Sequence, residues 1–81
     1  MPRVASPAAA FIGEHIVRGR QKLGLTQDEL AVISGIDSSN IRAYENGRAM
    51  PSVQSLVRIA FALGLEPGAL LEGVTLDLFG R

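Results

Sequence analysis

From Phe11 to Leu71 the apolar residues of this chain recur three and four apart, the spacing that lines one face of an α-helix. Phe11, Ile12, Ile16 and Leu23 share a broad apolar face. Ser6-Pro7 stands before them, a serine cap followed by a proline at the first helical position, and Gly24 follows where such a helix closes. Thr26-Gln27-Asp28-Glu29 is a capping box, with the threonine hydroxyl taking the glutamate amide while the glutamate reaches back. It predicts a second helix over residues 27–34, with Leu30 and Ala31 inward. Gly35 breaks the pattern, and Asp37 opens a third helix over residues 37–46 whose apolar side is Ile41 and Tyr44. Asn46-Gly47 ends it. Pro51-Ser52 starts a fourth helix with Val53, Leu56, Ile59, Ala60 and Leu63 inward, closed by Gly64. Glu66-Pro67 opens a short fifth through Leu71, ended by Gly73. Val74 to Phe79 then alternates apolar and polar, which suits an extended segment or a strand.

Five short helices joined by tight connections predict an all-α domain around one core. Residues 1–8 are read as a loosely held N-terminus in which Met1–Ala5 is frayed, residues 9–72 as the domain, and residues 73–81 as an apolar tail.

The stretch Gln27–Tyr44 carries the most information. Ala31 is small where two helices would cross closely, Gly35 permits a sharp turn, and Ile41 returns an apolar group into the angle between them. Leu30, Ile36 and Tyr44 complete the seam. Helices joined at about 90–120° leave the second one protruding with its first polar residues free. Such a helix fits the major groove of DNA, about 12 Å wide, where every base pair shows its own pattern of donors and acceptors.

Charge first argues the other way, because eight basic and eight acidic residues leave no net charge on the 81-residue chain. The distribution is uneven. Residues 1–63 carry seven basic groups against five acidic ones, while residues 64–81 carry Arg81 against Glu66, Glu72 and Asp77. A mildly basic body with an acidic tail permits DNA binding and predicts moderate non-specific affinity. The 47% hydrophobic and 20% charged composition is that of a globular domain, and the length suits one of them. Without cysteine there is neither a disulfide framework nor a thiolate zinc site. No apolar run approaches the roughly 18 residues of a membrane span and no signal-peptide pattern opens the chain, so the expected setting is the cytoplasm, associated with a bacterial nucleoid.

Catalytic chemistry finds no residues. His15 stands alone, which argues against a metal, and Asp28-Glu29 are helix neighbours that point apart and complement the helix dipole. No nucleophile elbow, phosphate-binding glycine loop or paired-carboxylate arrangement occurs. The expectation is a protein that is not an enzyme, with no cofactor, no metal and no small-molecule ligand.

Leu25-Thr26-Gln27, Glu29-Leu30-Ala31, Gly35-Ile36, Ile41, Tyr44-Glu45-Asn46-Gly47, Pro51-Ser52, Leu56, Ile59-Ala60 and Ala62-Leu63-Gly64 form one ordered string. In these residues the chain resembles the lambda-repressor-like helix-turn-helix family (Cro/cI or XRE type), over roughly residues 10–72. The resemblance implies that Gln27 contacts a phosphate and buttresses the third, recognition helix. It implies that Ser38, Ser39 and Asn40 read bases, that Arg42 and Ala43 face the groove or its backbone, and that Asn46 and Arg48 hug phosphate. It also implies an ion pair between Arg20 and Glu45. The sequence departs from the family at Val32, Ile33, Val57 and Phe61, which are apolar at usually polar positions, and at Ser38 and Ser39, shorter than the glutamine or arginine often used for two-bond base contacts.

The expected partner is double-stranded operator DNA, bound by a homodimeric transcriptional regulator. Phe61, Leu71, Val74, Leu76, Leu78 and Phe79, apolar residues the core does not obviously need, are the expected dimer interface. At this length no ligand-sensing domain is expected, so control falls to concentration or to a partner protein, as in a restriction-modification controller or an antitoxin. The competing reading is an interaction module that acts through a partner protein.

Overall fold

The computed structural model describes residues 6–80. Four α-helices, α1 (Pro7–Lys22), α2 (Gln27–Ser34), α3 (Ser38–Glu45) and α4 (Val53–Leu63), are followed by two 3₁₀ turns, Pro67–Leu71 and Leu76–Phe79. No strand occurs among the described residues, and no helix there is long and apolar enough to cross a membrane.

Side-chain caps start three of the helices. Ser6 Oγ accepts the Ala9 amide at 3.1 Å, with Pro7 at the first helical position. Thr26 Oγ1 accepts the Glu29 amide at 3.0 Å while Glu29 Oε1 accepts the Thr26 amide at 2.8 Å, so the capping box is complete. Ser52 Oγ accepts the Ser55 amide at 3.1 Å. Each such cap contributes about 1 kcal/mol by satisfying an amide that has no partner within its helix.

One core joins all four helices to the first 3₁₀ turn. Ile16, Leu30, Ile41, Ile59 and Leu70 are its largest fully buried side chains, one from each of those elements. Burying each contributes roughly 2 kcal/mol. Ile12, Ala31, Ile36, Leu56, Ala60 and Leu63 fill the space between them, and Leu25, Tyr44, Ala62 and Val74 pack against the outside.

Several expectations are corrected here. The fifth helix is a five-residue 3₁₀ turn, because Gly68 disfavours helix and so short a segment does not offset the cost of nucleating one. The tail is not extended. The Thr75 hydroxyl bonds the Asp77 carboxylate, and the Leu78 amide donates to the Thr75 carbonyl at 3.0 Å. A local turn thus outweighs the alternating pattern. The domain begins before residue 9, since Ala8 and Ala9 are already buried in α1; the expectation for Met1–Ala5 lies outside the described residues. Phe11, Leu23 and Val53, placed inward by their spacing, are exposed, Val53 on the first turn of α4 where nothing covers it.

Candidate nucleic-acid interface

The turn between α2 and α3 sets the pose of α3. Gly35 adopts the left-handed conformation at φ +72°, which residues with a Cβ adopt only under strain. The Ala31 carbonyl accepts the Gly35 amide at 2.9 Å, the Ile36 amide at 3.1 Å and the Ser34 hydroxyl at 3.3 Å. Ile36 and Ile41 then enter the core on either side of the bend.

The C-terminal end of α3 is anchored by charge. Arg20 donates to Glu45 through Nε at 2.7 Å and through Nη2 at 3.1 Å, and through Nη1 to the Leu25 carbonyl at 2.8 Å. Gln27 Nε2 donates to the same carboxylate at 2.8 Å. The Glu45 side chain is only 3% exposed and that of Arg20 15%, so this pair is buried. A two-bond Arg–carboxylate fork with further donors on each partner is the arrangement that makes a buried pair tolerable. The expected Arg20–Glu45 pair is thus present in the structure.

Gly13 brings α1 and α3 together. A Cβ at Gly13 would collide with the Tyr44 carbonyl oxygen and lie 2.8 Å from that of Glu45. The sequence signal for this contact is a glycine inside a helical stretch, which commonly marks close packing.

The outer face of α3 is polar. Ser39, Asn40 and Arg42 are exposed, Ser38 and Ala43 half-buried, and Asn46 and Arg48 exposed just past the helix. With Ile41 turned into the core, α3 leaves Ser39, Asn40 and Arg42 exposed to solvent. Gln27 sits differently, half-buried, with its amide turned to Glu45 rather than fully outward. Asp37 precedes α3 but makes no side-chain cap bond; instead Ser39 Oγ donates to its Oδ2 at 3.3 Å. Asp28 of α2 lies 3.7 Å from Arg42, an ion pair that sequence spacing gave no means of finding because it crosses between helices.

The expected interface residues divide into two groups. Val74 packs against the core and Leu78 is half-buried, while Phe61, Leu71, Leu76 and Phe79 are exposed, Phe61 by 84% and Leu76 by 87%. Val32, Ile33 and Val57 are exposed as well. His15 belongs to the inner side of the tail: its Nε2–H donates to the Glu72 carbonyl at 2.7 Å, and its ring meets Phe11 edge-on.

Comparison with known proteins gives the same picture. The chain is 40% identical over 57 residues to a putative multi-protein-binding factor of Yarrowia lipolytica, covering 70% of this chain and 38% of that protein. It thus spans well under half the length of that relative. It is 51% identical over 56 residues to an HTH-type transcriptional regulator of Methanothermobacter thermautotrophicus, covering 69% and 75% of the two chains. An HTH-type regulator of Sinorhizobium fredii is 37% identical over 70 residues, covering 86% and 91%. Among solved structures, the restriction-modification controller C.AhdI of Aeromonas hydrophila superposes with a TM-score of 0.75 at 32% identity, over 76% of this chain and 94% of that one. The P22 c2 repressor in complex with a synthetic operator gives 0.72 at 31% identity, over 76% and 94%. SinR in complex with DNA gives 0.73 at 29% identity, over 75% and 98%. A helix-turn-helix family model matches residues 16–70, the span that holds the turn, the buried ion pair and the exposed face of α3. This chain belongs to the helix-turn-helix family of DNA-binding regulators, in its lambda-repressor-like branch.

Proposed function

We propose that this protein binds double-stranded DNA sequence-specifically as a small homodimeric transcriptional regulator, laying α3 in the major groove. The observation that carries this reading is the exposed polar face of α3, held out by the Gly35 turn on one side and the Glu45 anchor on the other. Ser38, Ser39, Asn40 and Ala43 face base edges, and Gln27, Asn46 and Arg48 face phosphates. Gln27 serves two partners: a primary amide has two N–H donors, so one holds Glu45 while the other remains for phosphate. The P22 c2 and SinR neighbours, both solved on DNA, support the assignment by likeness.

The test is a mobility-shift titration of the folded protein on a randomised duplex pool with unlabelled competitor. Retention that enriches a two-fold symmetric site, with half-sites about 34 Å apart, is the expected result. Failure to retain any duplex from the folded protein defeats the reading.

Dimerisation draws on Phe61, Leu71, Leu76 and Phe79, the exposed members of the apolar set. Phe61→Ser with Leu76→Ser touches no buried residue, so the variant keeps its fold and becomes a monomer under conditions where the parent protein is a dimer. A second reading, an interaction module working through a partner protein, is favoured by exposed Val32 and Ile33 on α2. A SinR–SinI protein complex is also among the structural neighbours, at 28% identity and a TM-score of 0.74.

A further inference from the structure

The eight residues of α3 offer little reach for reading bases: two serines, one asparagine, one alanine, and a single long side chain with more than two donors, Arg42. Serine supplies one hydroxyl, whereas a guanidinium supplies five N–H groups in a planar fork. Arg42 does not trail toward the C-terminal end of the helix. Its Nη2 donates to Ser38 Oγ at 3.4 Å, four residues earlier, and its Nη1 lies 3.7 Å from Asp28 Oδ1 on α2. The side chain therefore lies back over the first turn of α3, the end whose residues meet base edges when such a helix docks.

We propose that Arg42 reads a guanine in the major groove, through two N–H bonds to O6 and N7, and that Asp28 and Ser38 are positioning residues that hold its guanidinium for that contact. This rests on the DNA-binding reading above and names the base it reads. The pairing with Asp28 decides between a base and a phosphate as target. A cation that clamps phosphate draws its affinity from net charge, and a carboxylate beside it offsets part of that charge. The hydrogen-bonding fork survives the pairing, since Ser38 and Asp28 take at most one N–H each of the five and leave three. A guanidinium oriented beside a carboxylate gains less from a phosphate and keeps its fork for guanine. With side chains 48% and 80% exposed, the Arg42–Asp28 pair contributes little to folding, so its effect is expected in base selection.

The experiment compares the parent protein, Arg42→Ala and Asp28→Asn by selection from a randomised duplex pool. Titrations on single-base variants of the selected site follow at several salt concentrations, with thermal unfolding as a control. The parent protein is expected to select a guanine at one fixed position of each half-site. Arg42→Ala should lose about ten-fold of discrimination at that position alone, within the range of a two-bond base contact, with little change in salt slope. Asp28→Asn should relax the same position by a smaller factor and lower the unfolding temperature by no more than a few degrees, the effect of one first-turn charge on α2. A uniform loss across all duplexes for Arg42→Ala, with the slope falling by about 0.9, would make Arg42 a phosphate contact and overturn the proposal. Unchanged guanine preference in Asp28→Asn overturns the positioning role of Asp28. A folded parent protein that retains no duplex brings down the DNA-binding reading itself, an outcome distinct from either.

Discussion

At the C-terminal end of α3, three N–H donors from α1 and α2 converge on a carboxylate that solvent barely reaches, and a glycine on α1 lets two backbones meet. At the N-terminal end, the side chains of Ser38, Ser39 and Arg42 bond, among the described residues, only one another and two exposed acids at 3.3 Å or more, and the side chain of the cap residue leaves the helix uncapped. One short helix thus has a firmly held end and a lightly held end. The firm end fixes where the helix points. The light end keeps its donors and acceptors unspent for a partner.

Substitutions can sharpen or break this contrast. The largest effect is expected at the firm end: Glu45→Ala should destabilise the fold by about 3–5 kcal/mol in urea unfolding, because it strands the buried Arg20 charge. A double-mutant cycle with Arg20→Ala should recover much of that loss, and two strictly additive losses would show that the pair is not coupled. A smaller change belongs to the loop beyond α3. Arg48 is exposed and its side chain makes no hydrogen bond or ion pair among the described residues, so Arg48→Ala should leave stability within about 0.5 kcal/mol. It should weaken binding to all duplexes alike and lower the salt slope by about 0.9. An unchanged slope would take Arg48 off the phosphate side. The smallest change is at the light end. Ser39→Ala should cost about 1 kcal/mol or less in preference for particular bases, with the unfolding midpoint unmoved, since one hydroxyl gives less than a two-bond contact. If operator-variant titrations show the same base preference with and without the Ser39 hydroxyl, direct reading by this residue is ruled out.

What could be read in the sequence divides along a related line. The bounds of α2 followed from Thr26, Glu29 and Gly35 because a capping box and a left-handed glycine act within a few residues of themselves. The Arg20–Glu45 pair was reached only through family resemblance, since 25 positions separate its members. The buttressing of α3 by Gln27 was likewise reached only through resemblance, which did not name Glu45 as its partner, and Asp28 beside Arg42 was missed, because the fold, not the spacing, brings these residues together. The tail was misjudged for a different one. Alternation from Val74 to Phe79 mimicked a strand, but no neighbouring strand exists among the described residues to receive its backbone bonds. The chain turned on the Thr75–Asp77 contact instead, and Val74 went to the core. Val53 shows the limit of periodicity itself, which places a residue on a face but does not ensure that anything covers it.

The Ala31 carbonyl gathers two amides and a hydroxyl at the bend between α2 and α3, and the Gly35 conformation there is one that few residues adopt. Three donors on one acceptor resist bending at the joint and favour one relative pose of α2 and α3. A rigid probe cannot mould itself to a duplex whose groove is a little too narrow or too straight. The elastic cost of fitting then falls on the nucleic acid, and base steps that yield easily, such as pyrimidine–purine steps, are accommodated more cheaply than stiff A-tracts. If the protein binds DNA as proposed, a joint of this kind would give it a preference among sequences even at base pairs that no side chain reaches.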